Sequence, residues 1–233
     1  SFVAGLRYAG LTPTTARHFA ELVLSMGFSL VLVDIIRSHE QLRRLVLVLI
    51  VAGAISAIVG IILWLLPDPL AESLLVRLSI IGYPNGGVIQ YIEANPALSE
   101  RAISTSVNPN SLGGFLEMVA ALTAPQLITR HPLTGKRWHA YPIMVTLVVC
   151  LVLTFSRGSM LAFGAAVVLI AALRYRRLLI AMGVLAVILL VLPWSQAYIA
   201  RFAEGFQFGG GFQGADLATQ MRIGEYRDAL TLI

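Results

Sequence analysis

Arg157 stands alone between two apolar runs, in Leu153-Thr154-Phe155-Ser156-Arg157-Gly158-Ser159-Met160. Ser156, Gly158 and Ser159 make the surrounding turn small and polar. A guanidinium there offers several donors in one rigid plane and a permanent charge. Phosphate or pyrophosphate at a membrane surface fits that fork. The plainer alternative is an arginine that snorkels and stops a helix. Arg222 is the second case. Residues 216–233 read as a helix opened by Asp216, and at about 100° per residue Ala218, Arg222, Tyr226, Ala229 and Ile233 share one arc. An arginine on an apolar arc needs an anionic partner, either a ligand or an acid such as Glu117 or Glu225. Arg227 and Asp228 fall outside the arc and read as solvated. Glu117 is the third case, near the middle of its own apolar run. Ionisable residues inside a membrane are costly and are functional candidates by default. Glu117 would carry a proton or an ion, or bond a neighbouring helix. Glu21 and Asp34 sit near the ends of their run, within reach of the interface.

The elements that must hold these residues are set by composition. Of 233 residues, 58% are hydrophobic and 12% charged, against about 25% charged in soluble domains. Mean hydropathy is +0.82. These values exclude a disordered chain, a nucleic-acid-binding tail and an ordinary soluble enzyme, and imply a polytopic membrane protein. Six apolar stretches are expected to span, at 18–36, 45–66, 110–128, 140–156, 159–173 and 178–193. Lys136 is the only Lys among 17 basic residues, the rest being Arg. With six crossings, the loops 37–44, 129–139 and 174–177 fall on one side and hold nine basic residues against one acid, Glu40. The excess of positive charge marks that side as cytoplasmic. Residues 67–107 and 194–233, with Arg157, are then extracytoplasmic. The whole reads as one all-α transmembrane helix bundle over 1–233. It begins without Met and ends inside a helical pattern, as a fragment of a longer protein would.

Local signals agree with this layout. Asn108-Pro109 reads as a helix cap followed by Pro at the first helical position. Ala52, Ser56 and Gly60, and again Gly158, Ala162 and Ala166, form small-residue stripes suited to close packing in lipid. Trp64, Trp194 and Tyr198 stand where interfacial aromatics are expected. Trp194, Tyr198, Phe202 and Phe206 recur every four residues, as on a helix lying along the bilayer, and Gly209-Gly210-Gly211 follows as a break. No phosphate-binding glycine loop, HExxH or Cys/His cluster is present. His18, His39, His131 and His139 are scattered, Cys150 is alone in an apolar run, and Asp68-Pro69 reads as a turn. No metal and no cofactor is expected.

Three pieces of the chain together resemble the O-antigen ligase and O-antigen polymerase superfamily of bacterial envelope glycosyltransferases. They are Arg101-Ala102-Ile103-Ser104-Thr105-Ser106-Val107-Asn108-Pro109-Asn110-Ser111-Leu112-Gly113-Gly114, Thr154-Phe155-Ser156-Arg157-Gly158, and Met221-Arg222-Ile223-Gly224-Glu225-Tyr226-Arg227-Asp228-Ala229-Leu230. The resemblance covers about residues 70–233. It implies an enzyme of the bacterial inner membrane that acts on the outer side of that membrane. Such an enzyme takes a glycan from undecaprenyl pyrophosphate and passes it to the lipid A core, as ligases do in lipopolysaccharide synthesis, or to another repeat unit, as polymerases do. The implied partners are a lipid-linked oligosaccharide donor, a glycan or lipid A core acceptor and membrane lipids, with no nucleic acid. The essential arginines of the family correspond to Arg157 and Arg222, implied to hold the pyrophosphate and stabilise it as leaving group without a metal, and Arg101 joins them as a substrate-binding residue. The family also uses a His farther along the chain. No His follows His139 here, so no base is assigned and the fragment alone is expected to be inactive. Two rivals come from other classes. One is a secondary transporter or lipid flippase built on Glu117, in which Arg222 is dispensable. The other is a scaffold with no critical residue.

Overall fold

A long apolar run in lipid has one way to satisfy its own backbone within the segment, the α-helix. In the computed structural model, which describes residues 12–92, 95–129, 132–174, 224 and 226–231, the apolar runs are helical and one pair of two-residue strands is present among the described residues. The chain divides into two units, Ser1–Val48 and Leu49–Ile233.

The first unit holds α1, Pro13–Ile35, and the opening of α2, His39–Leu65. The start of α2 is fixed by a reciprocal capping box. The Gln41 amide donates to the Ser38 hydroxyl at 3.2 Å, and the Ser38 amide donates to Gln41 Oε1 at 3.0 Å. Glu21 and Asp34 are paired locally, with Arg17 at 2.8 Å and Arg37 at 2.7 Å. The Arg37–Asp34 pair is largely exposed, so it contributes little to stability.

In the second unit, α2 runs to Leu65 and is followed by α3, Asp68–Val76, and a 3-10 turn, Arg77–Ile81. Strand β1, Gln90–Tyr91, pairs antiparallel with β2, Glu100–Arg101, in the register Gln90↔Arg101 and Tyr91↔Glu100. Next comes α4, Pro109–Thr123, prolonged by a 3-10 turn, Ala124–Leu127. The expected cap is in place: Asn108 Oδ1 accepts from the Asn110 amide at 2.8 Å, and Pro109 opens the helix. Helices α5, Arg137–Leu153, and α6, Arg157–Arg174, follow, and residues 226–231 are helical as well. Five of the six expected spans therefore coincide with helices. The sixth, 178–193, lies outside the described residues, as does 194–223. By length and composition α2 and α6 are long enough to cross a membrane, and α5 is a shorter apolar helix of 17 residues.

Helix α4 packs against both α5 and α6, and its other neighbour is α2. The buried stripe of α2 is Gly53, Ala57 and Gly60. Added Cβ atoms would stand 2.6 Å from Val119 Cγ1 at Gly53 and 2.9 Å from Cys150 Sγ at Gly60. The stripe is thus centred one residue beyond the expected Ala52 and Ser56, because the branched Val119 fills the notch at Gly53. Ala52 is exposed. On α6 the expected stripe also shifts: Gly158 and Ala162 are exposed, whereas Ser159 and Ala171 are buried. The opposite faces carry Ile55, Ile58, Ile62, Leu161, Leu169 and Leu173, all exposed. So much exposed apolar surface demands a non-aqueous surrounding or a partner.

Residues 67–107 fold over the end of α2. Leu63 of α2, Ala71 and Leu75 of α3, Val88 and Ile103 make a small core there. Trp64, expected only as an interfacial anchor, also donates its indole N–H to the Glu100 carbonyl at 3.0 Å. The Ser104 hydroxyl donates to the Ser56 carbonyl at 2.9 Å, about two turns deeper in α2.

Candidate active site

The ends of four helices meet around residues 100–108. Arg101 is the link. Its Nε donates to the Thr154 carbonyl at 2.8 Å, and its Nη2 donates to Asn110 Oδ1 at 2.8 Å. The next amide, Ala102, donates to the Leu153 carbonyl at 2.8 Å. Thr154 and Leu153 supply the last carbonyls of α5, which have no partner inside their own helix. A cation at a helix C-terminus is also favoured by the helix dipole. One side chain therefore closes the end of α5 and ties it to the first turn of α4.

Only Thr154, Phe155 and Ser156 separate α5 from α6. The reversal is made by Phe155 in the left-handed region, with φ 50°. Bulky residues rarely adopt that conformation, and such strain persists only where surrounding bonds over-determine it. Thr154 Oγ1 donates to the Leu151 carbonyl at 2.7 Å and accepts from the Ser156 amide at 3.3 Å. The abutting 102–108 segment is strained in the same way, at Ser104 (φ 50°) and the β-branched Val107 (φ 61°). The Val107 carbonyl accepts from Gln90 Nε2 at 3.0 Å.

Arg157 is the first residue of α6 and is partly buried. The amino-terminal ends of α4 and α6 lie side by side. An added Cβ at Gly113 would stand 2.8 Å from Ser159 Oγ and 3.0 Å from Ser156 Cβ. Two helix N-termini at one level present positive potential to the same place. Glu117 lies one turn below Gly113 on α4. The Ser159 hydroxyl is its hydrogen-bonding neighbour across the helix crossing, and Glu117 Oε2 is buried without a partner among the described residues.

A second polar group lies beside the hairpin. The Tyr91 hydroxyl donates to Asp68 Oδ2, which pushes the phenol up to about 12. Opposite Tyr91, burial and then the charge of Asp68 lift the Glu100 carboxyl to about 7. Among the described residues no group of three or more His, Cys, Asp and Glu is placed to hold a metal ion.

Of the residues singled out in the sequence, Arg101 and Arg157 are brought to one end of the bundle, and Glu117 lies farther down the same helix crossing. Arg222 lies outside the described residues. His39 and His139 lie in α2 and α5, and the His139 ring meets the Thr134 carbonyl, in the loop at the far end of α5. The basic residues Lys136 and Arg137 share that far end. Sequence reasoning missed Asn110 and Thr154 as the partners of Arg101, although both stand inside the quoted motifs. It also missed Glu100 and Tyr91, whose pairing across a short hairpin leaves no local signal beyond Asn95-Pro96 between them.

Apolar helices with outward-facing apolar surface, ending in a strained polar junction that holds Arg101 and Arg157, mark a membrane protein. Residues 142–233 match the family model described as O-antigen ligase. That match includes α6 and the Arg157 turn, and it supports the O-antigen ligase superfamily for this region. It supports an enzyme of glycosyltransferase or ligase type and gives no support to a transporter built on Glu117. No curated protein and no solved structure matches the chain.

Proposed function

We propose that this protein transfers a glycan from an undecaprenyl-pyrophosphate carrier to lipid A core or to another carrier-linked repeat unit. It acts at the extracytoplasmic face of the bacterial inner membrane and uses no metal. The observation that carries the reading is Arg157 at the head of α6, beside the N-terminus of α4 and within the matched segment. In this reading the acceptor hydroxyl attacks the anomeric carbon and gives up its proton to solvent while the bond from that carbon to the pyrophosphate oxygen breaks. Negative charge grows on the departing pyrophosphate, and fixed cations placed there stabilise the transition state more than the ground state. Arg157 and Arg222 hold the two phosphates, Arg101 adds its charge at the same end, and the first-turn amides of α6 complete the anion site. The helices are the spans of a larger bundle of about six crossings in this chain, with the Lys136–Arg137 end towards the cytoplasm.

The test is the surface-glycan profile of cells that carry the full-length protein in a null background, as wild type, Arg157→Ala or Arg222→Ala. Both substitutions are expected to abolish transfer at normal expression. Short capped chains left behind identify a polymerase, and long chains left on the carrier identify a ligase. An unchanged profile in both variants overturns the assignment.

A further inference from the structure

We infer that Arg101 is a positioning residue that aims Arg157; the inference rests on the glycan-transfer reading above. The planar guanidinium spans two acceptors on different helices, Thr154 O at the end of α5 and Asn110 Oδ1 at the start of α4. The neighbouring Ala102 amide takes the Leu153 carbonyl. Together these bonds fix the last turn of α5 from outside the helix. The chain then reverses within three residues through a left-handed Phe155 and delivers Arg157 as the first residue of α6.

Without the clamp, Thr154 loses its bond from β2, and Phe155 relaxes towards an ordinary conformation. Any change of φ and ψ at Phe155 swings the N-terminus of α6, because only Ser156 lies between them. Arg157 then leaves the position at which charge develops on the leaving group. Misplacement by about 1 Å can cost on the order of 100-fold in rate. A lysine keeps the charge but brings a single ammonium on a flexible stem, which does not reproduce the fixed fork.

The experiment uses the full-length protein in membrane vesicles, with undecaprenyl pyrophosphate carrying a short oligosaccharide as donor. Turnover and donor KM are measured for Arg101→Lys, Asn110→Ala, the double variant and Arg157→Ala. Asn110→Ala removes one anchor of the clamp, leaves Arg101 and its charge intact and keeps the Asn108 cap. If Arg101→Lys fails to fold, Asn110→Ala alone decides. Each single substitution is expected to lower kcat by about 10- to 100-fold with donor KM little changed. The double variant is expected to be no worse than the weaker single one, because both remove the same device. A donor KM that rises by that factor overturns the inference, whether or not kcat falls, since Arg101 then touches donor directly. Independent, multiplying effects overturn it, and so does normal kcat in Asn110→Ala. If Arg157→Ala is inactive while the Arg101 and Asn110 variants turn over normally, only this inference falls. If Arg157→Ala retains full transfer, the glycan-transfer site falls with it.

Discussion

Gly113 and Gly114 are neighbours in α4, and the same substitution at each separates packing from helix propensity. An added Cβ at Gly113 would stand 2.8 Å from Ser159 Oγ, 3.0 Å from Ser156 Cβ and 3.1 Å from Ser159 Cβ, whereas ordinary contact starts at 3.4 Å. Helix α6 must withdraw by about 0.6 Å to admit it. Nothing lies within 4 Å of the corresponding position at Gly114. Both Gly→Ala changes gain about 0.8–1.0 kcal/mol of helix propensity. Only Gly113→Ala incurs overpacking, at about 1–3 kcal/mol. The difference between the two variants is therefore about 1–3 kcal/mol, with Gly114→Ala the more stable. For a chain of this size that separates their thermal midpoints by roughly 2–12 °C. The assay is thermal unfolding of the full-length protein in detergent, alongside turnover with the lipid-linked donor. Gly113→Ala is expected to lose turnover because Ser159 is two residues from Arg157, and Gly114→Ala to keep it. Adding Ser159→Gly to Gly113→Ala removes the closest contact and restores part of the midpoint. Equal midpoints and equal turnover for the two variants would refute the close crossing of α4 and α6.

Two further outcomes follow from other contacts. Gly53→Ala drives a Cβ to 2.6 Å from Val119 Cγ1, and Val119 is stiff in its helix; the thermal midpoint should fall and Val119→Ala should recover it. Glu100 is lifted from 4.5 to about 7, so the folded state binds its proton more tightly than the unfolded state does. The stabilisation from neutral Glu100 is fully present below about pH 4.5 and is lost as pH rises through about 7. Glu100→Gln should match the parent at pH 4.5 and exceed it at pH 8 in a thermal scan, and Asp68→Asn should move the transition to lower pH. A Glu100→Gln profile that runs parallel to the parent from pH 4 to 9 would sink that assignment.

The helices were legible because each is a long apolar run with its own punctuation. Asn108-Pro109 announced α4 correctly, down to the capping bond. The faces were less legible. Residues 52–60 of α2 offer small side chains at Ala52, Gly53, Ala54, Ser56, Ala57 and Gly60, so helical spacing alone admits more than one stripe, and the shape of Val119 selects among them. Arg101 was visible as part of a motif, but its partner Thr154 is 53 residues away, and no local pattern specifies a bond across that distance. The left-handed residues were invisible for another reason. Such positions are usually signalled by Gly or Asn, as at Gly82 and Gly135, whereas around the junction they are Ser104, Val107 and Phe155. Residues 67–107 read only as an outer segment, because α3 and the hairpin are too short to carry a period.

The bond from Arg101 to Thr154 also sets an order of assembly. Synthesis proceeds at about 5–20 residues per second, so Thr154 follows Arg101 from the ribosome by roughly 3–10 s. Hairpin and cap contacts with α2 involve chain already made and can form at once. The strained junction cannot, because the carbonyls that hold it do not yet exist. Maturation of the Arg101–Arg157 junction is thus a late event in biogenesis, gated by delivery of α5 and completed as α6 begins.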